Sequence, residues 1–419
     1  MKYSSKLKSR IAAQVAAILI SSVTGSASEL SSARSLALSG AMTALSTGVD
    51  AARYNPANLG LQSQAPLQLE LASFGANISN NSFTLDDYNK YTGATLSSSD
   101  KSDILAKIPK EGLNLKADAE AAALSLSFGT FAFSVSGVGA ADANLNKDIM
   151  DLLLNGNSFA DSVIVTGSYS DGIAYAQAGF SYGHLLYEAG SRQLAIGGTI
   201  KYIRGIGVEE IVKLDGIAAT LATGFQGTGS IAARTATGGS GYGVDLGAAL
   251  KLNQNYTIGA RLENVLGSIN WNKDTEEHGI DFSFDTMTIN NANDSVIVSN
   301  DYSIDIPSFS TRLPTVMTLG VANTSGKLRW GIDWEQGFKR TAESSTKPRL
   351  SIGLEWLQLG MMPLRAGFST GGGRGESFSF GSGFNFNPFY LDLAAVTGTG
   401  VSVYSAKGLK VALSTGIRF

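Results

Sequence analysis

The sequence predicts an all-β fold: a transmembrane antiparallel β-barrel of about fourteen strands, with an N-terminal plug and short helices in its extracellular loops. Three observations carry that prediction. Glycine occurs 49 times in 419 residues at scattered single positions, while proline occurs only 8 times, which fits sheets and turns and not a low-complexity chain. Charged residues make up 16% and hydrophobic residues 43% of the chain, against about 25% charged in an ordinary soluble domain, as expected where much of the exterior faces lipid. Finally, apolar and polar residues alternate with period two in segment after segment, up to the last residue.

The elements follow in chain order. Residues 1–27 read as a secretory signal: Lys2, Lys6, Lys8 and Arg10 precede the apolar run Ile11 to Val23, and Gly25-Ser26-Ala27 supplies a small-residue cleavage site. The apolar run is about 13 residues where a spanning helix needs about 20. Without its four basic residues the mature chain holds 28 basic and 35 acidic residues, a balance of −7. Residues 28–66 do not alternate. Such a stretch cannot face lipid without forming strands, so it is expected inside the lumen as a plug, with residues 67–419 as the barrel.

Candidate strands fall at 67–78, 119–128, 131–139, 173–183, 192–205, 240–252, 256–266, 312–322, 327–337, 348–357, 363–370, 376–386, 389–396 and 407–419. The links between them alternate in length. Gly129-Thr130, Asn253–Asn255, Asn323–Gly326 and Asn387-Pro388 are tight, His184–Ser191 and Gln358–Met362 somewhat longer, and all fit periplasmic turns. Segments 79–118, 140–172, 206–239 and 267–311 are long and fit extracellular loops; 206–239 is rich in Gly, Ala and Thr. Helical patterns occur at Ser99–Ile108, which stops before Pro109, and at Asn146–Leu154, which places Ile149, Leu152 and Leu153 on one face. Either helix caps the barrel mouth over a ligand or packs on neighbouring loops.

In the last strand Leu409, Val411, Leu413, Thr415, Ile417 and Phe419 share a face opposite Lys410, Ala412, Ser414, Gly416 and Arg418. Leu413, Thr415, Ile417 and Phe419 form a candidate C-terminal signal for the barrel-assembly machinery. The polar faces of the strands collect Lys201, Asp245, Lys251, Arg261, Glu263, Lys327, Arg329, Asp333, Arg349, Glu355, Arg365, Asp392, Lys410 and Arg418 on the expected lumen side. Buried charge must be paired or hydrated, so these residues read as an ion-paired network holding the plug, or as a polar conduit. Trp271, Trp330, Trp334 and Trp356 are candidates for interfacial girdles or for a ligand pocket.

Two stretches carry a resemblance. Ala33-Arg34-Ser35-Leu36-Ala37-Leu38-Ser39-Gly40-Ala41, followed by the candidate hatch residues Asp50, Arg53, Asn55, Pro56 and Ala57, resembles the N-terminal hatch of the long-chain fatty-acid transporter (FadL/TodX-like) superfamily. The same opening is similar to that of the type IX secretion outer-membrane barrel subunit. Asp100–Pro109, Phe131–Gly137 and Arg234–Gly239 resemble an uncharacterised family of such barrels, over nearly the whole mature chain. The resemblance implies a plugged fourteen-stranded barrel in the bacterial outer membrane, with passive uptake of small hydrophobic molecules as its function. It also implies outer-membrane lipid and lipopolysaccharide as surroundings and a monomeric state. An alternative is a secretion-associated or envelope-structural barrel that binds protein partners.

Most enzyme chemistry lacks its residues. There is no cysteine, and His184 and His278 are the only histidines, which leaves neither a thiolate site nor a His cluster for zinc. No cofactor or metal is expected, and the acidic balance gives no basic face for nucleic acid. Gly179-Phe180-Ser181-Tyr182-Gly183 matches G-x-S-x-G with His184 adjacent, a remote indication of an outer-membrane serine esterase; within an alternating strand it lacks the strand–turn–helix that a nucleophile elbow needs. Ser344-Ser345-Thr346-Lys347 fits S-x-x-K but falls in a polar hairpin loop, and Asp86-Asp87 and Glu276-Glu277 read as solvated loop carboxylates.

Overall fold

The computed structural model describes residues 30, 32–61, 67–156, 162–164, 166–287, 297–373, 375–398, 400, 402 and 404–419; the signal read at 1–27 lies outside them, as do 28, 29, 31 and 62–66 of the expected plug. Three short helices come first: α1 (Ala33–Ala37), α2 (Val49–Tyr54) and α3 (Ala57–Gly60). Then come β1 (Gln68–Asn80), α4 (Leu85–Tyr91), α5 (Ser98–Lys107), β2 (Leu113–Phe128), β3 (Phe131–Leu145), α6 (Lys147–Asn155), β4 (Ser162–Ile164), β5 (Tyr169–Ala189) and β6 (Arg192–Leu221). The chain continues through β7 (Gly224–Ala236), β8 (Gly238–Lys251), β9 (Tyr256–Lys273), β10 (Glu276–Met287), β11 (Ile297–Asp305), β12 (Phe309–Arg312) and β13 (Val316–Asn323). It ends with β14 (Leu328–Gly337), β15 (Arg349–Trp356), β16 (Leu364–Gly371), β17 (Ser377–Phe386), β18 (Phe389–Gly398) and β19 (Gly408–Arg418).

Fourteen of these strands close a barrel: β1, β2, β3, β5, β6, β8, β9 and β13 to β19. Every pairing is antiparallel, and β1 meets β19 from Gln68↔Arg418 to Ser79↔Gly408, which leaves the ring without an edge. The alternation sorts the side chains as the sequence implied. Phe74, Phe180, Ile200, Leu266, Phe380 and Leu413 are among the large apolar residues exposed on the outside, while Glu70, Ser181, Asp245, Glu355, Ser379 and Asp392 are buried. A belt of exposed apolar side chains around a closed sheet is what a hydrocarbon surround stabilises. No helix among the described residues is long and apolar enough to cross a membrane.

The long links hold more strand than the sequence suggested. β6 runs for 30 residues and β5 for 21, well past the about 9–11 that cross a bilayer. Beyond the barrel rim the outer half of β6 pairs with β7, β7 with β10 and β10 with β11, while β4 takes the other side of β6. Segments 206–239 and 267–311, expected as loops, therefore build a sheet that continues the wall outward. Their glycines looked like loop residues because they do not alternate with apolar residues. In the fold they seat rings from the next strand: a Cβ on Gly227, Gly229 or Gly279 would lie 2.4, 2.5 or 2.3 Å from Phe284, Phe282 or Tyr302.

The two expected loop helices form as α5 and α6. α5 begins one residue earlier than expected, after a capping box in which Ser97 and Asp100 each accept from the other's backbone N–H. A third helix, α4, went unread in the sequence although it carries the same device at Thr84 and Asp87. Lys107 of α5 pairs with Asp87 of α4 and so joins the two.

Segment 32–61 is almost wholly buried and lies against the inner wall. The wall accommodates it through one glycine on each of nine consecutive strands: Gly183, Gly197, Gly247, Gly259, Gly320, Gly331, Gly353, Gly367 and Gly381. A Cβ at Gly197 would lie 2.4 Å from the Pro56 carbonyl carbon, and one at Gly353 would lie 2.7 Å from Leu38. Gly197→Val is expected to overpack this seam at a cost of about 1–3 kcal/mol and expose Arg34 and Arg53 to trypsin. Gly137→Val, with nothing within 4 Å of its added Cβ, should leave the digestion pattern of the folded protein unchanged.

Candidate functional site

The barrel interior is built from two kinds of inward residue, the glycines that admit the plug and the charges that hold it. Arg34 of α1 donates from Nε and Nη2 to both oxygens of Glu355 on β15, each at 2.9 Å. Arg365 on β16 donates to the same carboxylate at 2.8 Å and to Asp392 on β18 at 2.6 Å. Asp50 of α2 lies 3.8 Å from Arg34, so two plug helices share one relay of charge with three wall strands. Arg53 pairs with Glu70 on β1 and donates to Ser125 on β2 at 3.1 Å. Bidentate geometry and a shared carboxylate satisfy the lone pairs that burial would otherwise leave unmet.

The Asn-Pro-Ala motif has a structural task. Asn55 Nδ2 donates to the carbonyls of Thr43 at 3.1 Å and Ala248 of β8 at 3.0 Å, while its Oδ1 accepts from Ala57 N at 3.1 Å. Pro56 and Ala57 lie over Gly197 and Gly247, so the motif's backbone meets the wall directly. Asp333 on β14 accepts from the backbone N–H of Met42 and Thr43 at 3.0 and 2.8 Å. Arg349 on β15 donates to the Ser39 carbonyl at 3.1 Å.

A second cluster lies on β6, β8 and β9. Lys201 of β6 donates to Asp245 at 2.8 Å and Asn264 at 2.6 Å, and Arg261 reaches Glu263 at 3.1 Å and Asp245 at 3.4 Å. Here β9 bulges against β8, with the register jumping between Val244 and Leu246, and Asn264 takes φ +49° at the bulge. The bulge turns the Asn264 N–H onto Asp245 at 2.9 Å.

Between plug and outer loops lies a chamber of about 100 Å³, open to solvent. Ala52 and Arg53 line it from the plug, and Lys116, Glu120, Gln177, Lys201, Arg261 and Glu263 line it from the wall. Glu343, Ser344, Ser345 and Lys347, from the segment between β14 and β15, line it from above. Sequence reasoning took this segment for an ordinary polar hairpin loop. It folds inward instead: Tyr175 of β5 donates its hydroxyl to Glu343 at 2.7 Å, and Arg340 pairs with Asp142 at 3.3 Å and Asp171 at 2.9 Å. Loss of hydration pushes the Glu343 carboxyl up to about 7, against the Tyr175 hydrogen bond that pulls it down. Ala342 joins an apolar collar with Tyr175, Ile203, Ile269, Trp271 and Leu313.

Three expectations need correction. Lys327 lies exposed in the β13–β14 turn, not in the lumen, because the strand begins only at Leu328. Trp271 is no membrane girdle: it is fully buried in the collar and donates from Nε1 to Thr311 at 3.0 Å. Lys251, Arg329 and Arg418 are partly buried, and Arg418 lies over the Tyr390 ring at 4.1 Å. Ser181 and His184 lie on opposite faces of β5: Ser181 is buried against Thr199 at 2.8 Å, while exposed His184 meets Tyr182 at 3.2 Å. The esterase arrangement is therefore not assembled from this pair. Asp86 lies in α4; Glu276 is 3.3 Å from His278, and Glu277 accepts from Tyr302 at 3.1 Å. At the C-terminal strand Leu413 and Phe419 are exposed, Thr415 donates to the Tyr390 carbonyl at 3.0 Å and Ile417 pairs with Leu69.

Residues 56–230 and 211–394 match a family of unknown function, DUF5723. The chain belongs to that family. No curated protein sequence matches it. Among solved structures it is similar to the toluene transporter TodX of P. putida, with 13% identity over 93% of this chain and 99% of that one and a TM-score of 0.53. The Ralstonia pickettii toluene transporter TbuX gives 14% identity, 94% and 99% coverage and a TM-score of 0.53. A Pseudomonas aeruginosa FadL homologue gives 14%, 93%, 98% and 0.50. At such identities the likeness establishes the fold, a FadL-like barrel, which this member of the family shares.

Glu355 is the carboxylate on which both Arg34 and Arg365 converge. Glu355→Gln is expected to leave two buried guanidiniums short of a counter-charge, costing about 3–5 kcal/mol. Thermal unfolding in detergent should show the loss, and trypsin should reach Arg34. Lys327→Gln, at an exposed turn, should change stability by no more than about 0.5 kcal/mol.

Proposed function

We propose that this protein is an outer-membrane channel for passive uptake of small hydrophobic molecules, and that these molecules carry a polar group. The observation that carries this reading is the chamber between plug and outer segment: its lining is charged, while the collar beside it is apolar. A bare hydrocarbon entering the chamber would displace water from Lys201, Arg261 and Glu263 without replacing its hydrogen bonds. A solute with one hydroxyl or carbonyl keeps those contacts while its apolar part lies against Pro314 and Val316 of the lining. The fold adds support, since the similar TodX and TbuX are toluene transporters.

Capture begins at the loops, where α6 carries Leu152 and Leu153 at the mouth and buries none of its residues completely. Passage onward requires the plug to shift. Its contacts are many and individually short, so a partial shift that breaks the Asn55 or Asp333 hydrogen bonds while Arg34 remains paired is the lower-energy route. The expected location is the bacterial outer membrane, reached through the export signal at 1–27 and the assembly machinery.

A second reading, a barrel that binds protein partners in the envelope, draws on the outer sheet. Among the described residues β11 is in register with β10 alone, which leaves its other edge open there to an added strand.

Uptake of a radiolabelled aromatic alcohol into bacteria carrying the protein, compared with cells lacking it, tests the first reading. Protein-dependent uptake several-fold above control is expected, with a charged disaccharide excluded. Equal uptake by both cell types would remove the transport reading and leave the partner-binding one.

A further inference from the structure

The segment between β14 and β15 does not stay at its own rim. In the ring, six strands separate β15 from β3 in either direction: β16, β17, β18, β19, β1 and β2 one way, and β14, β13, β9, β8, β6 and β5 the other. Residues 338–348 leave β14, reach across the bore, and are held by β3 and its neighbour β5 on the opposite wall. We propose that this strap is an outer gate: it closes the loop side of the chamber as the plug closes the turn side, and it opens by release of the Arg340 clasp. The inference rests on the chamber being a solute path.

Three features distinguish the strap from a loop that merely packs on its neighbours. Its attachment is local and ionic at one end, where Arg340 bridges Asp142 and Asp171 with its guanidinium 3.6 Å from the centre of the Tyr169 ring. The cation of that clasp faces water, the Arg340 side chain being 42% exposed against 9% for Arg34 and 3% for Arg365 in the plug network, and buried Asp142 keeps Lys116 at 3.2 Å when Arg340 leaves. An exposed ion pair is held weakly and re-forms readily, whereas the buried plug pairs lose their partners at high cost. The inner face of the strap, Glu343 to Ser345, lines the chamber, so lifting it opens the chamber without disturbing the wall. The Thr341–Ser344 backbone pairing keeps the inserted tip a closed turn that moves as a unit.

The chain contains no cysteine, which permits a single-thiol reporter. Ser136 of β3 lines the chamber, and Ser136→Cys places a thiol there. In intact cells carrying the full-length protein, a charged, membrane-impermeant maleimide should label this cysteine slowly. Adding Arg340→Gln should raise the labelling rate about tenfold, and Lys339→Gln, at an exposed neighbour outside the clasp, should not. If Arg340→Gln does not reach the membrane folded, Asp171→Asn removes the clasp from the wall side and should raise the rate at least threefold. Labelling unchanged by clasp removal would overturn the gate, whether or not solute is taken up. Faster labelling without any protein-dependent uptake would support the strap as the chamber's outer closure and defeat the transport reading instead.

Discussion

The structure depends on one steric constraint: the backbone of the plug must touch the inner wall of the barrel with no side chain between them. A barrel of fourteen strands has a wide bore, and charged inward residues alone would leave it a water-filled tube. The glycine belt from Gly183 to Gly381 removes one layer of side chains at a single level and makes room for α1 to α3. Once the segment is seated there, Asn55 can reach the Ala248 carbonyl of a wall strand and Asp333 can cap Met42 and Thr43. With a methyl at those positions the same donors and acceptors would be held apart. The glycine content that set this chain apart is thus a requirement of close approach.

Electrostatics then divides the interior into a part that holds and a part that can yield. At the plug, Arg34, Glu355, Arg365 and Asp392 are each largely shielded from water and joined end to end, so no member can leave without stranding another. At the strap, Arg340 keeps contact with solvent, and water replaces Asp171 at little cost. Between them Lys201, Asp245, Arg261 and Glu263 pair with one another on the wall, which keeps the chamber polar without dictating a single sign of charge.

Much of this architecture was legible because a closed barrel imposes period two on every strand. The fourteen wall strands were each readable from alternation, down to the Leu409–Phe419 face, and the lumen position of Asp245, Glu355 and Arg365 followed from it. What escaped was structure without that signature. The outer sheet was hidden because Gly227, Gly229 and Gly279 accept rings from neighbouring strands, a relation between residues far apart in sequence. The strap was hidden because Glu343 and Arg340 have partners on the opposite wall, which no local pattern encodes. Trp271 stayed open between girdle and pocket because interfacial and inner tryptophans look alike until the register of β9 with β12 is known. Lys327 failed by one residue at a strand end, where alternation continues on paper after the backbone has begun to turn.

The wall beyond the membrane bears on how the strap is held. β5 and β6 continue past the rim, and Trp271, Ile269 and Ile203, buried together in the collar, lie on β9 and β6 where the outer sheet begins. The collar therefore belongs to the same continuous strands as the chamber wall below it. This continuity explains why the strap takes its apolar hold through Ala342 and its polar hold through Glu343 on adjacent residues.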